Sequence, residues 1–329
     1  MLSVRINVPP GNHHTEKSMV EMASQTDLAY EVFISDPIPT SVTDPLPNGE
    51  LFSWSPMSTT LIYGEKNAVL VDPPLTIEQT RRVGDWVEQS GKHLEHIYIT
   101  HGHGDHWFGS GPLVERFPGT VVLASEDSIR LMRKQGSAEF RKEQVDNLFP
   151  GQVPPSPVLA RPVPPQGILL EGNVLRSVEV GHSDTDDTTV LHVPSIGLVV
   201  AGDVVYNGVH VYLSESADGG RAEWLQALDA VERLAPRHVV CGHKNKALPD
   251  SPATIEETRQ YIRDADRLLK ETTSQIEFFN AMCSLHPNAS TRRSCGSRPP
   301  RSWMHRAEPY QLRLRAASLP LKKSGPPLG

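Results

Sequence analysis

Three histidines and one aspartate fall within six positions, His101-Gly102-His103-Gly104-Asp105-His106, directly after the apolar run Ile97-Tyr98-Ile99. An extended chain sends residues i and i+2 to the same side, so the imidazoles of His101 and His103 can converge on one point. Gly102 and Gly104 let the chain turn, and Asp105 and His106 can then face a second, neighbouring point. Imidazole nitrogen and carboxylate oxygen are the donors that Zn²⁺ accepts outside thiolate sites. The competing reading, a surface histidine cluster or a single core histidine with bystanders, leaves so many imidazoles in so short a segment unexplained.

The pattern His-x-His-x-Asp-His after a strand resembles the signature of the metallo-β-lactamase-fold hydrolases, and the resemblance extends over roughly residues 50–280. The family's third histidine matches His182 in Val180-Gly181-His182-Ser183-Asp184. Its bridging carboxylate matches Asp203, after Leu198-Val199-Val200-Ala201-Gly202, and its last histidine matches His243, after His238-Val239-Val240-Cys241-Gly242. Each follows an apolar run, in the family's order.

This resemblance implies a first metal position made by His101, His103 and His182, a second made by Asp105, His106 and His243, and Asp203 as a bridge between them. It implies two Zn²⁺ per chain sharing one water, whose pKa falls from ~15.7 toward neutrality. The metal-bridging hydroxide would open the carbonyl of a small-molecule lactone, lactam or ester, with Asp105 carrying a proton from the water to the leaving atom. Tyr206 is similar to a tyrosine of the lactonase members whose hydroxyl points at the substrate carbonyl; a buried core tyrosine is the alternative. Asp72, at a strand end, resembles the family's acid that holds the ligand loop, against a plain turn residue. Thr100, Ser183 and Asp184 border ligands and could fix imidazole tautomers. Flavodiiron members carry glutamate at the position of His103, so histidine there favours Zn²⁺ over iron. Two alternatives share the fold: a thioesterase of the glyoxalase II kind, acting on a glutathione or carrier-protein thioester, and an iron-dependent sulfur dioxygenase. A non-enzymatic binding role ranks last.

The ligand segments need a frame. Thr59–Tyr63 and Ala68–Asp72 read as a hairpin turning at Gly64–Asn67. A helix is expected over Ile77–Gln89, with Thr76 as N-cap and a stop before Gly91. Further helices are expected at about Gly109–Phe117, Ser125–Lys134, Ala138–Leu148, Ala222–Leu234 and Pro252–Phe279. Strands are expected at Thr120–Ala124, Ile168–Leu170, Val174–Val180, Thr188–His192, Leu198–Ala201 and Val239–Cys241. The prolines between Pro150 and Pro165 stop regular structure. Periodicity alone gives an α/β or α+β class; the resemblance implies a four-layer αββα sandwich.

Composition is that of a water-soluble protein, with 38% apolar and 22% charged residues in 329. No apolar run is long enough to span a membrane, and the start lacks a secretory apolar stretch. Cys241, Cys283 and Cys295 show neither CxxC spacing nor an even count, which points to a reducing, cytoplasmic compartment. The net charge is −7, yet from Arg292 onward nine Lys or Arg face Glu308 alone. The body is therefore markedly acidic, which argues against a nucleic-acid partner. The expected partner is a small-molecule substrate, with no nucleic acid and no membrane, and the sequence carries no signal of oligomeric state. The expected organisation is a Pro-rich, irregular lead-in over 1–50, a catalytic domain over 51–283 and a basic, disordered tail over 284–329. His13-His14 reads as a solvated pair.

The substrate mouth is expected from the loops around Trp54–Met57, Trp107-Phe108, the proline-rich segment and Tyr206–Tyr212. Trp107, Phe108, Tyr206 and Tyr212 would give it an aromatic character suited to a small organic substrate. Lys244 and Lys246 are the candidates near the site for holding glutathione's carboxylates.

Overall fold

The computed structural model describes residues 26–289 apart from Asn48; His13-His14 and the segment from Ser290 onward lie outside the described residues. In chain order the first half holds β1 (Ala29–Ser35), β2 (Ile38–Pro39), β3 (Ser53–Trp54), β4 (Met57–Tyr63), β5 (Asn67–Val71), α1 (Ile77–Gln89), β6 (His93–Tyr98), α2 (Ser110–Arg116), β7 (Val121–Ala124), α3 (Glu126–Gln135), the short α4 (Ala138–Phe140) and β8 (Arg161–Pro162). The second half holds β9 (Ile168–Leu170), β10 (Asn173–Gly181), β11 (Thr188–Val193), β12 (Leu198–Asn207), α5 (Gly220–Arg233), β13 (His238–Lys244), α6 (Ala253–Glu271) and α7 (Gln275–Leu285).

Strand order is β8-β7-β6-β5-β4-β13-β12-β11-β10-β9, with β1 also paired to β4. Among the described residues, the two halves of this curled sheet pair at one position, His243 against Met57. Alternation along the strands explains the layering. In β5, Ala68 and Leu70 face a core made with α1, α2 and α3, while Val69 and Val71 face the other half. In β12, Val199 and Ala201 meet α5 and α6, while Leu198 and Val200 turn inward toward Ile62, Tyr98 and Leu123. Strands buried on both faces must be apolar throughout, which is why these segments read as continuous runs. The result is helix, sheet, sheet, helix: the mixed α/β sandwich that the resemblance implies. Glu171, in the β9–β10 turn, ties the halves together by accepting the backbone N–H groups of Glu65, Lys66 and Asn67, each at 2.7 Å.

Local signals explain the element ends. Thr76 accepts from the Gln79 N–H while the Gln79 side chain returns to the Thr76 backbone, a capping box that starts α1. Three expectations need correction. The lead-in expected to be irregular contains β1, whose seven residues pair in register with β4. The segment expected as an α-helix over Ala138–Leu148 continues from α4 as a π-helix over Arg141–Asp146. The long helix expected over Pro252–Phe279 is two helices, because Thr272 leaves the helix with an extended backbone and Ser274 caps α7. Thr and Ser side chains compete for backbone groups: Thr272 Oγ1 donates to Leu268 O at 2.7 Å, and Ser274 Oγ accepts from Glu277 N at 3.2 Å. Among the described residues, no helix is long and apolar enough to cross a membrane.

Candidate metal centre

The histidine-rich turn leaves the end of β6, beside Asp72 at the end of β5. Asp72 adopts a left-handed backbone, φ 54°, a cost that a non-glycine residue bears when its surroundings demand it. Its carboxylate explains the demand. Oδ1 accepts the Thr100 N–H at 2.8 Å; Oδ2 accepts the Thr100 hydroxyl at 2.7 Å and the His106 Nδ1–H at 3.0 Å. The Thr100 hydroxyl proton is thus committed to Asp72, so its oxygen accepts from His101 Nδ1–H, 3.1 Å away. From β13, His243 Nδ1–H donates to Pro56 O at 3.0 Å. In all three imidazoles Nδ1–H is engaged, which turns Nε2 toward the centre as the nitrogen a metal ion would take.

Two of those Nε2 atoms meet the β12 carboxylate. Asp203 Oδ1 lies 3.2 Å from His106 Nε2, and its Oδ2 lies 3.3 Å from His243 Nε2. The β12–β13 register shifts twice, between Val200 and Gly202 and between Gly202 and Tyr206, an irregularity that aims Asp203 into the centre. Gly202 is obligatory there: its φ is 50°, and a Cβ would stand 2.4 Å from Thr100 Oγ1. Asp105 Oδ2 lies 3.4 Å from His243 Nε2 and accepts the Trp54 indole N–H at 2.7 Å. Three donor groups result, His101/His106/Asp203, Asp105/His106/His243 and His101/His103/Asp184, with ligand atoms within 4.8 Å of one another in each. His101 Nε2, His106 Nε2, Asp184 Oδ2 and Asp203 Oδ1 are buried, and each has an ion-pair contact within the cluster rather than a well-aligned hydrogen bond. Buried polar atoms are ordinarily satisfied by aligned hydrogen bonds. Imidazole nitrogens and carboxylate oxygens crowded together in this way fit divalent ions.

His182 stands outside these groups. Its Nδ1–H donates to Asp186 Oδ1 at 2.6 Å, and its Nε2, also buried and unpartnered, points at Gly220, where a Cβ would lie 2.5 Å away. Asp184 takes the place beside the other two imidazoles instead, with Oδ2 2.8 Å from His103 Nδ1 and 3.4 Å from His101 Nε2. His103 Nε2 faces Glu215 Oε1 at 3.3 Å, and Glu215 also accepts the Thr185 hydroxyl at 2.8 Å. Burial works against ionisation of Glu215, but the His103 ring outweighs it and holds the carboxyl at about 2. Tyr206 donates its hydroxyl to Asp203 Oδ2 at 2.7 Å and stacks on His243, with ring centroids 5.8 Å apart.

Charge follows geometry. Burial opposes ionisation of Asp105 and Asp203, yet the imidazoles His106 and His243 overcome it and hold both carboxyls below their ordinary range. Burial pushes His101 down to about 4, with His106 adding to the effect.

The mouth differs from the sequence expectation. Trp107 and Phe108 are fully buried in the first-half core, where the Trp107 indole donates to Gly102 O at 3.0 Å and braces the turn. Lys244 is buried and paired with Asp250, so it does not face the site. Tyr206 and Tyr212 do line a cavity of about 640 Å³ that opens from His103, Asp105, Asp203 and His243. Trp54 and Glu215 are the contacts that sequence reasoning missed. The Trp54 loop reads as part of the mouth, but nothing in the spacing shows that its indole reaches Asp105.

Residues 53–243 match the profile of the metallo-beta-lactamase superfamily. Uncharacterized protein YobT of Bacillus subtilis (strain 168) is 31% identical over 99 residues, which are 30% of this chain and 41% of that protein. The match therefore spans about two fifths of that relative's length. Among solved structures, a metallo-beta-lactamase family protein from Thermus thermophilus is 19% identical, with a TM-score of 0.54 over 78% of this chain and 92% of that one. A metallo-beta-lactamase from Pontibacter korlensis is 19% identical, with a TM-score of 0.51 over 72% of this chain and all of that one. At these identities the likeness is one of fold.

Proposed function

The chain belongs to the metallo-beta-lactamase superfamily, and from that premise we propose that it is a zinc-dependent hydrolase of a small-molecule lactone, lactam or ester. The observation that carries this reading is the convergence of buried imidazole nitrogens and carboxylate oxygens in two groups, His101/His106/Asp203 and Asp105/His106/His243, with ligand atoms within 4.8 Å of one another in each. Bound divalent ions would supply an activated water and a Lewis acid at neutral pH.

The residues divide the work. Asp105, His106 and His243 would hold one ion, His101 and His103 would hold a second, and Asp203 would be a donor common to both. His182 is the second ion's third donor in this proposal: Asp186 fixes its tautomer, and its Nε2 is bare and unpartnered. Its ligation would require the ring to leave its present place against Gly220 and Asp184 to give up its contacts with His101 and His103. Asp105 lines the cavity and carries the proton toward the leaving atom; the Trp54 N–H keeps its Oδ2 in place. Tyr206 also lines the cavity, with its hydroxyl resting on Asp203 and within reach of a substrate carbonyl by rotation.

A thioester is the second reading, favoured by a cavity larger than a simple lactone fills. Metal analysis together with a panel of lactones, lactams, esters and thioesters tests both. About two zinc per chain with oxoester or lactam turnover is expected. One iron per chain, or thioester turnover alone, overturns the first reading.

A further inference from the structure

The cavity leading from the metal centre is walled by four segments: residues 41–55, the π-helical stretch with its flanks over 140–149, the loop 210–215, and α7 with the end of α6. Trp54, Phe140, Phe149, Tyr212, Phe278 and Phe279 give it an aromatic lining. Its carboxylates outside the metal centre are Asp44, Glu143 and Glu215, and one further imidazole, His210, lines it with Nδ1 2.9 Å from the Tyr261 hydroxyl. No Lys or Arg is among the described residues that line it. Lys244 is paired with Asp250, and Lys134 acts on Glu215; neither lines the cavity. The neutral hydrogen-bonding groups on the walls, Gln144, Asn147 and Gln275 among them, suit uncharged polar atoms.

We propose that this cavity selects an uncharged substrate whose non-reacting portion is bulky and aromatic or aliphatic, and that it rejects substrates carrying an anion on that portion. Resting on the hydrolase reading, this names the substrate class within it. The physical reason is desolvation. A carboxylate, sulfonate or phosphate leaving water for this space meets aromatic faces and three acids, with no Lys or Arg on the described walls to replace its hydration. A neutral aromatic group gains the contact area and ring geometry that the lining offers. A glutathione thioester, with two free carboxylates, falls in the rejected class.

The test uses the full chain loaded with zinc and two matched pairs of probes. The first pair is methyl 4-phenylbutyrate and its para-sulfonate, compared by kcat/KM. The second is benzylacetone and its para-sulfonate, which are not hydrolysed, compared by calorimetric binding. The anionic member of each pair is expected to be weaker by about 100-fold, the scale of an unpaired charge taken out of water. Glu143→Arg, which adds a cation to the wall, is expected to narrow that ratio by about 10-fold. Equal kcat/KM and equal binding for both members overturn the proposal, as does absence of benzylacetone binding. Selective benzylacetone binding with no turnover of any ester or lactone instead overturns the hydrolase reading and leaves the selectivity standing.

Discussion

His106 donates its Nδ1–H to Asp72 Oδ2 at 3.0 Å, and Asp72 holds that position from a left-handed backbone with φ 54°. The same carboxylate grips the Thr100 N–H and hydroxyl. One acid thereby sets the tautomers of His106 and, through Thr100, of His101. Asp72→Ala is expected to lower zinc affinity by about 10–100-fold, the usual effect of losing such a partner. Competition with a zinc chelator measures it, alongside circular dichroism to show that the fold persists; unchanged affinity removes Asp72 from this role.

His182→Ala separates the two candidates for the third donor beside His101 and His103. The variant is expected to hold about one zinc per chain where the parent holds about two. Retention of two equivalents would make Asp184, already 2.8 Å from His103 Nδ1, the donor, and Asp184→Ala would then be the variant that loses one.

Trp54→Phe keeps the ring against Phe149 but deletes the N–H that Asp105 accepts. A hydrogen bond to a charged group contributes about 1.5–3 kcal/mol, so turnover is expected to fall by about 10–100-fold with the fold unchanged. Steady-state kinetics and thermal melting on the same preparation check this; wild-type kcat would show that Asp105 is placed without Trp54.

Proton uptake by the metal-free site gives a pH signature. Burial alone would lower the His243 pKa, but Asp203 and Asp105 outweigh it and push it up to about 10. The folded-state value lies above the unfolded one, near 6.5. Its stabilisation of the metal-free protein is therefore fully present below about pH 6.5 and is lost as pH rises through 10. Zinc needs the bare Nε2, so binding at pH 7.5 is expected to release protons, and apparent affinity is expected to rise with pH. An indicator dye in weak buffer reads the release, and its absence would contradict a protonated His243.

Gly202→Ala places a Cβ 2.4 Å from Thr100 Oγ1 on a backbone at φ 50°. The expected loss is about 1–3 kcal/mol, the range for a side chain forced into a strained left-handed site, measurable as a lower unfolding midpoint in urea. An unchanged midpoint would mean that the β12 bulge relaxes freely.

Residues 101–106 were legible because their donors are close in sequence and the glycines between them leave the chain free to turn. The strands were legible because burial on both faces makes Ala68–Val71 and Leu198–Ala201 uniformly apolar. Trp54 and Glu215 were not, since each reaches the centre across a large separation in the chain with no periodic signal. Trp107 and Phe108 were misplaced for a related reason: an aromatic pair beside a ligand loop reads the same whether it faces solvent or core. The helix break at Thr272 was not legible because no Pro or Gly marks it; the polar run Lys270-Glu271-Thr272-Thr273-Ser274-Gln275 reads equally well as an exposed helix turn.

Among the described residues, the His243–Met57 pair is the sole strand-to-strand pairing between a sheet half ending at Pro162 and one beginning at Ile168. His101, His103, Asp105 and His106 come from the first; His182, Asp203 and His243 come from the second. Cutting the chain once near Gln166 would therefore divide the donors between two polypeptides without severing any strand. Neither fragment alone carries a complete ligand set, so recovery of tight zinc binding would report reassembly of the two, with the ions acting as the clasp.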